Sequence, residues 1–102
     1  MIFNLSGKQI QLSPSFSTYA KFETEKCIFK YYNNPISSNL KLSKIKHAYY
    51  INIVVYLNNK MRFLSLANGK TVVIALENSL YKLSKQLRRY KRKIKNHSRV
   101  KS

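Results

Sequence analysis

The chain has 102 residues, enough for one domain with one modest core. It is 44% hydrophobic, which excludes a disordered tail, and it sets 20 Lys and Arg against 3 acids for a formal charge of +17. A charge of that size on a folded domain points first to nucleic acid and second to an anionic membrane. No apolar run is long enough to cross a bilayer.

The expected elements begin with a short strand at Met1–Leu5, ended by Gly7. Ser13 followed by Pro14 is a helix start, a hydroxyl cap with Pro in the first turn. That helix is expected to reach about Tyr32, where Asn33-Asn34-Pro35 stops it. Phe16, Ala20, Cys27 and Tyr31 share its core side, and Lys21 lies well off that side. Leu40, Leu42 and Lys44 belong to a second strand. Ala48–Leu57 is the strongest strand signal, rich in β-branched and aromatic residues. Its alternation points Ile51, Ile53, Val55 and Leu57 one way and Tyr50, Asn52, Val54 and Tyr56 the other. Asn58, Asn59 and Lys60 suit a tight hairpin. Met61–Ala67 returns as a fourth strand, Asn68-Gly69 breaks the pattern, and Thr71 caps a closing helix. The order is β-α-β-β-β-α, an α+β fold with a four-stranded sheet and both helices packed on one face. The other face is expected to be partly open, with several tyrosines on it.

The closing helix, Thr71 to Asn96, dominates the chain. Val73, Leu76, Leu80, Leu83, Leu87, Tyr90 and Ile94 recur at steps of three and four, within an arc of roughly 100°. Lys82, Lys85, Arg88, Arg89 and Arg92 centre on the opposite arc, and Lys91, Lys93 and Lys95 fill the flanks. No acid follows Glu77. A helix kept basic only for solubility mixes signs, because Glu and Lys four apart stabilise it and like charges oppose it. A polyanionic partner explains why unrelieved repulsion is tolerated here. Residues 1–96 are expected to form the domain and 97–102 a short basic, flexible tail.

Enzymatic chemistry fits the sequence poorly. Glu23, Glu25 and Glu77 are too few for an obvious metal nuclease, and Glu23 and Glu25 point different ways on a helix. His47 and His97 lack ligand spacing to Cys27, so neither a zinc site nor any cofactor is expected. Cys27 stands alone, which rules out an intramolecular disulfide and fits a reducing compartment. On the apolar side of its helix it reads as a buried, inert thiol. Tyr50, Tyr56 and Tyr90 suit either base stacking or packing, with packing the plainer account.

Two segments carry a resemblance. FNLSGKQIQLSPSF is similar to the opening strand, Gly-basic turn and Ser/Thr-led helix of the ribosome hibernation promoting factor family, also called ribosome-associated inhibitors. LENSLYKLSKQLRRYKRKIKNH is similar to the closing helix of that family, with its acid, Lys-Leu, Gln-Leu-basic-basic and Tyr-Lys elements in order. The β-α-β-β-β-α order agrees, and the likeness covers nearly the whole chain. It implies a non-enzymatic protein, monomeric when free. Its partners would be the small ribosomal subunit and ribosomal RNA, in the channel used by mRNA and by tRNA at the A and P sites. There it would block translation and preserve idle ribosomes in a stress response. The RNA contacts it implies are Lys82, Lys85, Arg88, Arg89 and Arg92, with Lys21 from the first helix and Lys8 beside the opening turn. The chain resembles the short form of the family, and the absence of a secretory or transit pattern at its start implies a cytoplasmic location. Two other classes stay open: a permanent ribosomal or other structural nucleic-acid-binding protein, and a membrane-surface protein using its cationic helix.

Overall fold

A computed structural model describes residues 1–58 and 61–101, with side chains through Lys93. In chain order the elements are β1 (Ile2–Lys8), α1 (Pro14–Phe29), β2 (Ser37–Ile45), β3 (Ala48–Asn58), β4 (Met61–Gly69) and α2 (Val72–Lys101). The strands form one sheet in the order β1-β2-β3-β4. β1 and β2 are parallel, as a helical crossover through α1 allows; β2-β3 and β3-β4 are antiparallel hairpins. Both helices cover one face, as expected.

The helix starts follow the sequence signals. Ser13 Oγ accepts from Phe16 N at 3.1 Å ahead of Pro14, and Thr71 Oγ1 accepts from Ile74 N at 3.1 Å. α1 ends at Phe29, earlier than the expected Tyr32. The Ile28 carbonyl takes the N–H of both Tyr31 and Tyr32, at 3.0 and 2.9 Å, which closes the helix there. β1 and β4 run longer than expected because their ladders persist through Lys8↔Ser43 and Tyr49↔Gly69. The hairpin expected at Asn58-Asn59-Lys60 is seen as Asn58 paired with Met61; residues 59 and 60 lie outside the described residues.

The core is the layer between sheet and helices. Leu40, Leu42, Ile51, Ile53, Val55 and Leu57 meet Ala20 and Ile28 of α1 and Leu76, Leu80, Leu83 and Leu87 of α2. Phe16, Cys27 and Tyr31 pack at its margin, as their helical side requires. Val73 departs from the expected stripe and is 38% exposed, while Val72 and Ala75 turn inward. The stripe centres on the line through Leu83; Val72 lies within about 20° of that line and Val73 roughly 80° away. Ile94, the last expected stripe residue, falls where side chains are not described, and α2 runs on to Lys101, past the expected end at Asn96 and through most of the expected tail.

α2 approaches β4 closely where β4 is small. Inward-facing Ser65, Ala67 and Gly69 lie toward the start of the helix, and a Cβ on Gly69 would sit 2.6 Å from Ala75 N. Ser65 Oγ bonds the Ser79 carbonyl at 2.6 Å and lies 2.9 Å from Ser79 Oγ, so two buried hydroxyls are satisfied at the contact. Farther along, Phe63 meets Tyr90 edge-on, centroids 5.5 Å apart.

The turn between β2 and β3 has a local strain that no Gly or Asn advertises. Ile45 pairs with Ala48, and Lys46 between them has φ 56°. That region costs a residue bearing a Cβ roughly 1–2 kcal/mol. Allowing for the extra chain entropy of glycine, Lys46→Gly is expected to raise stability by about 0.5–1 kcal/mol, and Lys46→Val to lower it. Chemical denaturation of the two variants checks this; a destabilised Gly variant would contradict it.

Candidate nucleic-acid interface

Docking the apolar stripe of α2 turns its basic arc to solvent. Arg88, Arg89 and Arg92 are exposed, as are Lys91 and Lys93 on the flanks. Lys85 is half-buried, its ammonium 4.4 Å from the centroid of the Tyr81 ring one turn earlier. The only acid of this helix, Glu77, precedes Arg88 by three turns, roughly 16 Å along the axis. Arg88 and Arg92 lie one above the other at i, i+4 on the helix surface.

Lys82 differs from its neighbours. Its Nζ donates to the Leu66 carbonyl of β4 at 2.9 Å. Asn78 donates to the Asn68 carbonyl at 2.9 Å and Gln86 to the Leu64 carbonyl at 2.7 Å. Three residues spaced by four thus serve three carbonyls spaced by two along an edge strand. The match is geometric: four helical residues rise about 6 Å and two strand residues about 6.7 Å. The row ties α2 to the sheet edge and occupies acceptors that another strand would otherwise reach.

The other two expected contacts stand apart from this arc. Lys21 is exposed on α1, but Cys27 marks the side of α1 that faces α2, donating to the Leu80 carbonyl at 3.7 Å. Six residues before Cys27, Lys21 lies about 120° around the helix from it. The lysines bordering the groove between the helices are Lys26 of α1 and Lys30 just after its end, which the sequence reading did not single out. Spacing alone could have found them once Cys27 was known to face α2, because Lys30 follows it by three and Lys26 adjoins it. Lys8 ends β1 and borders a concavity on the opposite, open face of the sheet, beside Lys41 and Tyr50. Tyr50 and Tyr56 are half-buried on that open face, as expected.

Two acids sit in the helix–helix groove. Glu77 accepts from the Tyr19 hydroxyl at 3.4 Å, and Glu23 lines the same groove. Burial first, then the charges of Glu23 and Glu77, hold the Tyr19 hydroxyl above its ordinary value. Burial pushes the Cys27 thiol up to about 11, against a smaller lowering by Lys30, so near neutral pH it is a protonated, poorly nucleophilic sulfur. Among the described residues no three His, Cys, Asp or Glu side chains gather into a group able to hold a metal ion. Nor is any helix long and apolar enough to cross a membrane.

The family described as Sigma 54 modulation protein / S30EA ribosomal protein matches residues 3–95. The chain belongs to that family. A curated relative, the ribosome hibernation promotion factor of Rhizobium meliloti (strain 1021), is 25% identical over 97 residues. That match takes in 95% of this chain and 51% of the relative, so the chain spans about half the length of that protein. Two solved structures share the fold. The N-terminal domain of Protein Y from Thermus thermophilus superposes with a TM-score of 0.78 at 16% identity, over 87% of this chain and 97% of its own. A ribosomal subunit interface protein from Coxiella burnetii gives 0.73 at 18% identity, over 89% and 98%. The family resemblance drawn from the opening and closing segments is thus borne out.

Within a single arc, Lys82 holds the fold while Arg88 and Arg92 face solvent. Lys82→Met removes a charge-assisted bond to β4 and should cost about 1 kcal/mol of stability. Arg88→Ala and Arg92→Ala should each stay within about 0.5 kcal/mol of the parent. Urea denaturation of the three variants measures this, and an arginine variant as destabilised as Lys82→Met would contradict it.

Proposed function

We propose that the chain binds the small ribosomal subunit in the channel between head and body, in the space used by mRNA and by A- and P-site tRNA. There it blocks translation and preserves idle ribosomes. The observation that carries this reading is the unneutralised arc of Lys85, Arg88, Arg89 and Arg92, backed by a rigid core, on a member of a family that includes a ribosome hibernation promotion factor. The solved fold relative named as a ribosomal subunit interface protein points to the same partner.

The mechanism is occupancy rather than catalysis. Lys and Arg displace counterions from phosphates, and Arg adds forked hydrogen bonds and stacking on bases. The sheet fixes the direction of the cationic helix, so the shape of folded RNA is selected over a generic polyanion. The free protein is monomeric, because +17 on 102 residues repels a second copy. Lys26 and Lys30 join the RNA face from α1, while Lys8 and Lys21 contribute at its periphery.

The test is cosedimentation with small subunits. Neutralising roughly 6–8 phosphates should make affinity fall about a thousandfold between about 50 and 200 mM salt. Replacing Lys85, Arg89 and Arg92 together by Glu should abolish binding and inhibition of translation while the thermal unfolding midpoint stays close to the parent. A flat salt response, or inhibition retained by the triple variant, would refute the assignment.

A further inference from the structure

A concavity of about 430 Å³ lies where the end of α1 meets the second half of α2. Small-molecule sites start near 300 Å³, so a single base with its sugar fits its scale. Three tyrosines line it: Tyr31 and Tyr32 from the turn after α1, and Tyr90 from α2. All three are half-buried against the core, which fixes their rings. Tyr90 is further held edge-on against Phe63, and the N–H groups of Tyr31 and Tyr32 are both held by the Ile28 carbonyl. The space is therefore bordered by aromatic surface that is already in place.

Polar groups complete the lining. Asn33 and Asn34 are exposed at its wall, and their side-chain amides form no hydrogen bond with the protein among the described residues. An amide offers a donor and an acceptor together, which suits the paired edge of a base. Lys30 and Lys91 also line it, with Lys30 Nζ 5.6 Å from the centroid of the Tyr31 ring. No acid is among the described residues that line this concavity. The neighbouring groove between the helices, of about 340 Å³, mixes Glu23 and Glu77 with Lys26 and Lys30, so its acids offset the pull of its lysines on a phosphate. Lys91 also lies between Arg88 and Arg92 in sequence, so the concavity opens beside the cationic arc.

We propose that this concavity receives one unstacked nucleobase of RNA. The base lies against the tyrosines, Asn33 and Asn34 meet its edge, and Lys30 and Lys91 hold the flanking phosphates. Splayed bases of loops and bulges are what proteins read in folded RNA, and stacking on aromatic rings tolerates any base. The inference rests on the ribosome-binding reading and adds to it a contact with a base, where the arc of α2 supplies contacts with phosphate.

The experiment compares three hairpin RNAs by fluorescence anisotropy: one with a single bulged adenosine, one with an abasic site at the bulge, one fully paired. The protein should prefer the bulged adenosine about tenfold over the other two. Asn33→Ala combined with Asn34→Ala and Tyr32→Leu should lose that preference and keep the salt-dependent binding to paired RNA, whereas Tyr32→Phe should keep the preference. The side-chain amide signals of Asn33 and Asn34 should shift in NMR with the bulged RNA only. Equal affinity for all three RNAs overturns the proposal, as does an amide shift produced equally well by adenosine monophosphate with no preference among the hairpins. If the pocket variant holds small subunits as tightly as the parent while charge reversal on α2 releases them, the base site falls and ribosome binding stands. If the parent protein shows the bulge preference yet does not cosediment with small subunits, the site stands as an RNA contact and the ribosomal reading falls.

Discussion

Burial of one face of α2 against β3 and β4 is the contact on which the rest depends. Leu76, Leu80, Leu83 and Leu87 are all nine-tenths or more buried there. Each such side chain contributes roughly 1.5–3 kcal/mol, whereas each close like-charge pair on the far face costs a few tenths. Burial therefore wins by close to an order of magnitude over the repulsion, and a helix that would be poor on its own is held in place with its charges outward. The same contact is tightened by small residues: Gly69 leaves room for the backbone of Ala75, and Ser65 and Ser79 satisfy each other inside.

The edge of the sheet shows how a charged residue is divided between fold and partner. Asn78, Lys82 and Gln86 sit on one row of α2 and hold three carbonyls of β4. Their row lies to one side of the basic arc, so Lys82 belongs to both. Its ammonium is directed at the strand, while the arginines about two and three turns later project freely. Composition counts these cations alike, and only their surroundings tell them apart.

Much of this was legible in the sequence. The β-α-β-β-β-α order, both helix caps, the alternation of β3 and the stripe of α2 come from local periodicity and turn chemistry, which are readable residue by residue. What escaped reading depends on contacts between distant segments. Thr24 and Ile28 are buried on α1 beside the expected Ala20, yet nothing local distinguishes Thr24 from a surface threonine. The hairpin turn at Lys46 lacks a turn residue. Lys26 and Lys30 gain significance over Lys21 only because α2 lies along the Cys27 side of α1. Val73 was assigned to the core by spacing and sits outside it because it falls at the margin of the arc. Lys8 was grouped with the helix cations through its place after Gly7, and the pleat of β1 sends it to the opposite face.

The molecule thus has a cationic helical side carrying a tyrosine-lined recess, and an open sheet carrying a smaller share of the charge. The central claim is that the helical side is the one pressed against RNA. Hydroxyl-radical cleavage directed from iron chelates attached at single cysteines on each side, with the small subunit as target, tests it most directly. Probes flanking Arg88 and Arg92 should cut ribosomal RNA lining the mRNA and tRNA channel, and probes near Tyr50 and Tyr56 should cut far more weakly. Strong cleavage from the sheet side with none from α2, or cleavage confined to RNA outside the channel, would contradict the account.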